Sequence, residues 1–123
     1  MTDREFRPHA ERWLAAYYER NRLSRLIQTI SAQMAEIKLP GSVLRLDDLA
    51  DQMKRIEELE AANAELRRQH REQLDILNQE ERVIRQQLPQ DIWYHVDGVG
   101  IKHVPHTAIM VKEWEEVEYA QAA

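Results

Sequence analysis

The chain has 123 residues, 43% hydrophobic and 32% charged, a balance suited to one globular or coiled-coil domain and poorly suited to intrinsic disorder. Three Gly and four Pro argue against a loop-rich fold or a Gly-rich phosphate cradle, and the lack of Cys excludes disulfides, thiolate metal sites and a Cys nucleophile. Net charge is −5, unevenly placed: residues 1–38 hold seven Lys/Arg against five Asp/Glu, and residues 89–123 hold two against six, so a dominant polyanion binder is disfavoured.

From about 8 to 38 the apolar residues step by threes and fours: Phe6, His9, Trp13, Ala16, Arg20, Leu23, Ile27, Ile30, Met34, Ile37. That alternation is the seam of a coiled coil. Pro8 suits a first turn, where its missing N–H is no loss. Residues 39–42, LPGS, end the helix, since Pro40 disfavours helical geometry before it and Gly41 tolerates positive φ. A second periodic stretch spans about 43–88, with candidate seam positions Leu46, Leu49, Met53, Ile56, Leu59, Asn63, Leu66, His70, Leu74, Leu77, Val83 or Ile84, and Leu88, and Pro89 stops it.

A four-residue turn makes consecutive helices antiparallel neighbours. If the numbers of facing residues add to about 83, apolar residues meet along the hairpin, with Trp13 opposite His70 and Phe6 opposite Leu77. The same register sets Arg7 near Asp75, Arg4 near Glu80 and Arg25 near Glu58. Arg20, Asn63 and His70 are polar residues on an otherwise apolar seam, a device that fixes register at some expense of stability. Two helices alone bury too little to offset the ordering entropy of so many residues. The expectation is therefore a mainly α protein: an antiparallel helical hairpin over 1–88 that pairs with a second copy as a dimeric four-helix bundle. The expected oligomer interface comprises Trp13, Tyr17, Leu23, Ile27, Ile30, Met34, Leu49, Met53 and Ile56.

After Pro89 the pattern changes. Residues 92–96, IWYHV, are rich in β-formers, and Asp97-Gly98 is a strong type I′ turn signal. A two-residue loop pairs Val96 with Val99, Tyr94 with Ile101 and Ile92 with His103, which puts Ile92, Tyr94, Val96, Val99 and Ile101 on one apolar face. Pro105-His106-Thr107 makes a second turn, and 108–112 adds a third strand, so residues 89–123 read as a small antiparallel β-hairpin or meander followed by an acidic tail. The competing reading of 113–119 is a short helix.

No pattern reaches an enzyme reading. His103 and His106 share an H-x-x-H spacing, but Pro105 intervenes and no third ligand stands at a sensible distance, so the histidines read as surface residues and no metal or cofactor is expected. Ser24 and Ser31 fall mid-helix with no partnered base. Two surfaces read as binding sites. Arg67, Arg68 and Arg71 form a candidate anion-binding cluster, against which stands a solvated helix face with i,i+4 pairs such as Arg68–Glu72 and Arg71–Asp75. Trp93, Lys102, Met110, Trp114, Glu115 and Glu116 form a candidate protein-binding surface of aromatic, Met and acidic residues.

At residues 85–101, RQQLPQDIWYHVDGVGI, a coiled-coil-like helix runs into a hairpin. In this layout the chain resembles the small accessory proteins of bacteriophages and prophages, which combine long charged helices with a short C-terminal β-hairpin. The resemblance implies a virion or assembly component, or an inhibitor of host defence, working in the host cytoplasm; it brings no functional residue with it. The leading expectation is a non-enzymatic, oligomeric coiled-coil protein acting through protein–protein contacts. The alternatives are a phage-encoded inhibitor of a host nucleic-acid-binding complex and a nucleic-acid-binding bundle. The longest apolar runs are far too short to span a bilayer, and the first five residues are unlike a signal peptide, so the cytoplasm is the expected compartment.

Overall fold

A computed structural model describes residues 1–37 and 46–113 of the chain, in the order α1 (Asp3–Ile37), α2 (Leu46–Gln87), β1 (Trp93–Val96), β2 (Val99–Lys102) and β3 (Met110–Glu113). Thr2 opens α1: its hydroxyl and its carbonyl both accept from the Glu5 N–H, at 3.3 and 3.1 Å. Thr2-Asp3-Arg4-Glu5 has the spacing of a capping box, and Asp3 and Glu5 put negative charge where the helix dipole favours it. The helix thus begins about five residues before the expected start at 8, and Pro8 lies inside it. Only the Arg4 carbonyl loses its acceptor role to Pro8, and that lies in the first turn, beside water. The expected turn at 39–42 and the alternative tail helix at 113–119 lie outside the described residues.

The chain packs as two units. The first comprises Met1–Tyr17 with Asp75–Ala123, and the second comprises Tyr18–Leu74.

In the first unit the sheet lies on the helices of the same chain. Phe6, Ala10, Trp13, Leu14 and Ala16 from α1 are buried with Leu77, Ile84 and Leu88, and with Val96, Ile101 and Ile109. The sheet runs β1-β2-β3, antiparallel throughout. Val96 pairs with Val99 and Tyr94 with Ile101, as the two-residue loop requires. Asp97 and Gly98 both have positive φ, 48° and 82°, the requirement of a type I′ turn. Beyond Tyr94 the expected alternation breaks. Asp91 takes φ 61°, its N–H donates to the His103 carbonyl at 3.0 Å, and Gln90 rather than Ile92 bridges His103. Ile92 therefore leaves the apolar face and is 51% exposed. His103 is buried, not a surface residue, with Nδ1 3.3 Å from the Leu88 carbonyl oxygen at the end of α2.

Polar ties hold the sheet in place. The Phe6 ring meets Tyr94 edge-on at 4.7 Å, and the Tyr94 hydroxyl donates to Asp3 at 2.6 Å. Arg7 reaches Asp97 at 3.1 Å, and Arg85 donates to the carbonyls of Val104 and Thr107. Between the helices, Glu80 accepts from Arg12 at 2.8 Å and meets His9 Nδ1 at 2.6 Å. Burial raises the pKa of the Glu80 carboxyl, but the hydrogen bonds from Arg12 and His9 outweigh it and leave the group below its ordinary value.

The helices are antiparallel, yet in a different register from the expected one. His9 meets Glu80 in the first unit and Ser24 meets His70 in the second, so facing numbers add to 89 and to 94 rather than to about 83. Trp13 does not face His70, and Arg7 pairs with Glu11 and Asp97 instead of Asp75. The shift amounts to about two helical turns in the first unit and about three in the second. Its reason lies at the sheet end. In the expected register α2 would overrun the start of α1, whereas the observed one brings Asp3 and Phe6 level with the end of α2, where the sheet covers both.

Candidate functional site

The second unit carries the features that look outward. Ser24, Ile27 and Gln28 of α1 and Ala64, Arg67, His70 and Arg71 of α2 line an open groove of about 580 Å³. The helical repeat puts these residues there: 24, 27 and 28 share one face, as do 64, 67 and 71. Ser24 Oγ lies 3.1 Å from His70 Nε2 and ties α1 to α2.

The basic cluster expected at Arg67, Arg68 and Arg71 is divided. Arg68 is turned away from the groove and held by Glu65 and Glu72 together, with Nη2 2.6 Å from Glu65. Hydrogen bonds from Arg68 and Gln69 pull the Glu65 carboxyl down to about 2, so it stays charged and engaged at any ordinary pH. Arg67 and Arg71 line the groove instead, and neither forms an ion pair among the described residues, so the expected Arg71–Asp75 bridge is not what fixes Arg71. One arginine thus draws in two neighbouring carboxylates, and the other two guanidinium groups have no ion-pair partner among the described residues, for a net charge of about +1 over the five side chains. Ser24 and Gln28 were not legible as partners of this cluster, because their approach depends on the interhelical register.

Further along the second unit the apolar seam is only partly covered. Leu23 is fully buried, but Ile27, Ile30, Met34, Ile56, Leu59 and Leu66 are half-buried, and Leu49 and Met53 are 43% and 55% exposed. By the spacing of the Ser24–His70 pair, the positions that would face Leu49 and Met53 are 45 and 41, which lie outside the described residues. Asn63 sits on the same seam with its side-chain oxygen enclosed and without a hydrogen-bond partner among the described residues. Of the nine expected interface residues, Trp13 and Leu23 are instead buried within the chain, and Tyr17 stacks on Trp13 at 5.2 Å.

On the sheet, Trp93, Lys102 and Met110 occupy one row across the three strands. The Lys102 ammonium sits 5.2 Å above the Trp93 ring, and Met110 is 48% exposed. Half of the expected protein-binding surface is thus assembled; Trp114, Glu115 and Glu116 lie outside the described residues. Among the described residues no three His, Asp or Glu side chains converge as a metal site, and no helix is long and apolar enough to cross a membrane. No family model matches the chain, and neither a curated protein nor a solved structure matches it.

Proposed function

We propose that the chain is a non-enzymatic helical protein that works by self-association and protein–protein contact, most simply as a homodimer whose paired hairpins form a four-helix bundle. The observation that carries this reading is the half-covered seam at Ile30 and Met34 beside the exposed Leu49 and Met53 and the half-buried Ile56. Each fully covered side chain of this size contributes about 1.5–3 kcal/mol, so a second copy that completes the coverage of five such residues is well rewarded. Isologous pairing also matches each stripe to itself without needing a different partner. The phage-type layout is the proposed setting, as a virion, assembly or host-interaction component.

Sedimentation equilibrium and light scattering at micromolar concentration test it. The wild-type chain is expected at twice its 14.6 kDa mass. Because Leu49 and Met53 are exposed in the single chain, Leu49→Glu with Met53→Glu leaves helix content intact and shifts the mass to the monomer. A wild-type chain that stays monomeric throughout overturns the proposal.

The row Trp93, Lys102 and Met110 supports a second reading, that the sheet docks a different protein, as in the inhibitor alternative. An aromatic ring, a cation and a flexible thioether in one row, two half-buried and the third exposed, have the composition of an interface. Lys102→Glu with Met110→Glu is expected to abolish capture of a purified partner while leaving the mass unchanged.

A further inference from the structure

We infer that the groove between Ser24 and Arg71 binds a compact organic phosphate of nucleotide size. Three observations carry the inference. First, the charge at this point is left over from folding. Glu65 and Glu72 both close on Arg68, while Arg67 and Arg71, four residues apart on one helix face, make no ion pair among the described residues. Side chains at that spacing stand about 5–6 Å apart at Cβ, which suits two guanidinium groups converging on one tetrahedral anion. Second, neutral donors accompany them. The Gln28 amide and the Ser24–His70 pair line the same groove and can complete the hydrogen bonding of phosphate oxygens. Third, the walls are mixed. Ile27 and Ala64 offer apolar surface to a planar ring, and about 580 Å³ lies within the range of small-molecule sites.

The surroundings favour a small ligand over a nucleic-acid strand. Glu60 stands seven residues before Arg67, on the same face of α2, and Glu57 and Glu58 precede it. A polyanion laid along this helix would pass these carboxylates. A single phosphate seated between Arg67 and Arg71 avoids them.

The test is an NMR titration of the full-length protein, following the His70 ring resonances, with inorganic phosphate, adenosine monophosphate and a single-stranded oligonucleotide as probes. Adenosine monophosphate is expected to shift His70 saturably and to bind at least about tenfold more tightly than inorganic phosphate, through the added apolar contact. Arg67→Gln and Arg71→Gln, both on exposed side chains, should each weaken it about tenfold or more while circular dichroism stays unchanged. Arg68→Gln should weaken it less than either, because Arg68 does not line the groove and acts only by holding Glu65 and Glu72. The Leu49→Glu, Met53→Glu variant should bind like the wild type, which separates the groove from self-association. The inference is overturned by the absence of a saturable shift, by equal affinity for the two small probes, or by an Arg68→Gln loss as large as the other two. An oligonucleotide that binds more tightly than the mononucleotide, with a steep salt dependence, would instead assign Arg67 and Arg71 to nucleic-acid binding.

Discussion

Glu80 is the point at which a single substitution should disturb the packing of α1 on α2 most. Its side chain is 13% exposed and joins both His9 and Arg12 across the helix interface. The His9 contact, 2.6 Å long with its imidazole 26% exposed, is sheltered, and a hydrogen bond to a charged group contributes about 1.5–3 kcal/mol. Arg12 is 51% exposed, so solvent screening reduces its share to about 0.5 kcal/mol. Glu80→Ala should therefore lower the stability of the first unit by about 2–3 kcal/mol, and its melting temperature by about 10 °C. Glu80→Gln keeps the shape and one acceptor and should lose about half as much. The measurement is thermal and urea unfolding followed by far-UV circular dichroism, repeated with His9→Ala alone and combined with Glu80→Ala. A coupling of about 1 kcal/mol or more is expected from that cycle.

Acid gives a further arm to the same experiment. The Glu80 carboxyl lies below its ordinary value of 4.5 in the folded chain, so below that pH the unfolded chain binds more protons than the folded one. The stabilisation is complete above pH 4.5 and is lost as the pH falls through the lowered native value. Glu80→Gln should flatten this part of the acid limb. A loss below about 0.5 kcal/mol for Glu80→Ala, together with an unchanged acid limb, would refute the reasoning.

Two other outcomes follow from the sheet. Gly98→Ala should destabilise by about 1–2 kcal/mol, because φ 82° is strained for a residue with a Cβ; Asp97→Asn, at φ 48°, should be nearly neutral, and urea melts will separate the two. Burial, reinforced by the hydrogen bond to Asp3, pushes the Tyr94 phenol up to about 12. Its contribution to stability is complete below about pH 10 and disappears as the pH rises towards the folded value. Tyr94→Phe should cost about 1 kcal/mol at neutral pH and abolish this alkaline loss, as read from ultraviolet titration beside unfolding curves.

Much of the fold could be read along the chain. The three–four spacing from Phe6 to Ile37 and Pro89 after Leu88 specify two long helices, because helical periodicity and backbone sterics act within a few residues. Asp97-Gly98 specifies the first hairpin for the same reason, since few residue pairs accept positive φ in succession. The start of α1 was equally local, in Thr2-x-x-Glu5, but Pro8 offered the more conspicuous signal and pointed one turn too late.

What the tertiary structure alone decided was register and, with it, the site. A heptad seam repeats, so sliding one helix by about two turns still sets apolar positions against apolar positions. The choice between such registers comes from the sheet, which covers Phe6 and Leu88 together, and from Glu80 meeting His9 and Arg12. That choice sets Ser24 beside His70. It also decides which arginines remain available: three in five residues look equivalent in the sequence, until the helix face divides them into one that closes on two glutamates and two that open on a groove.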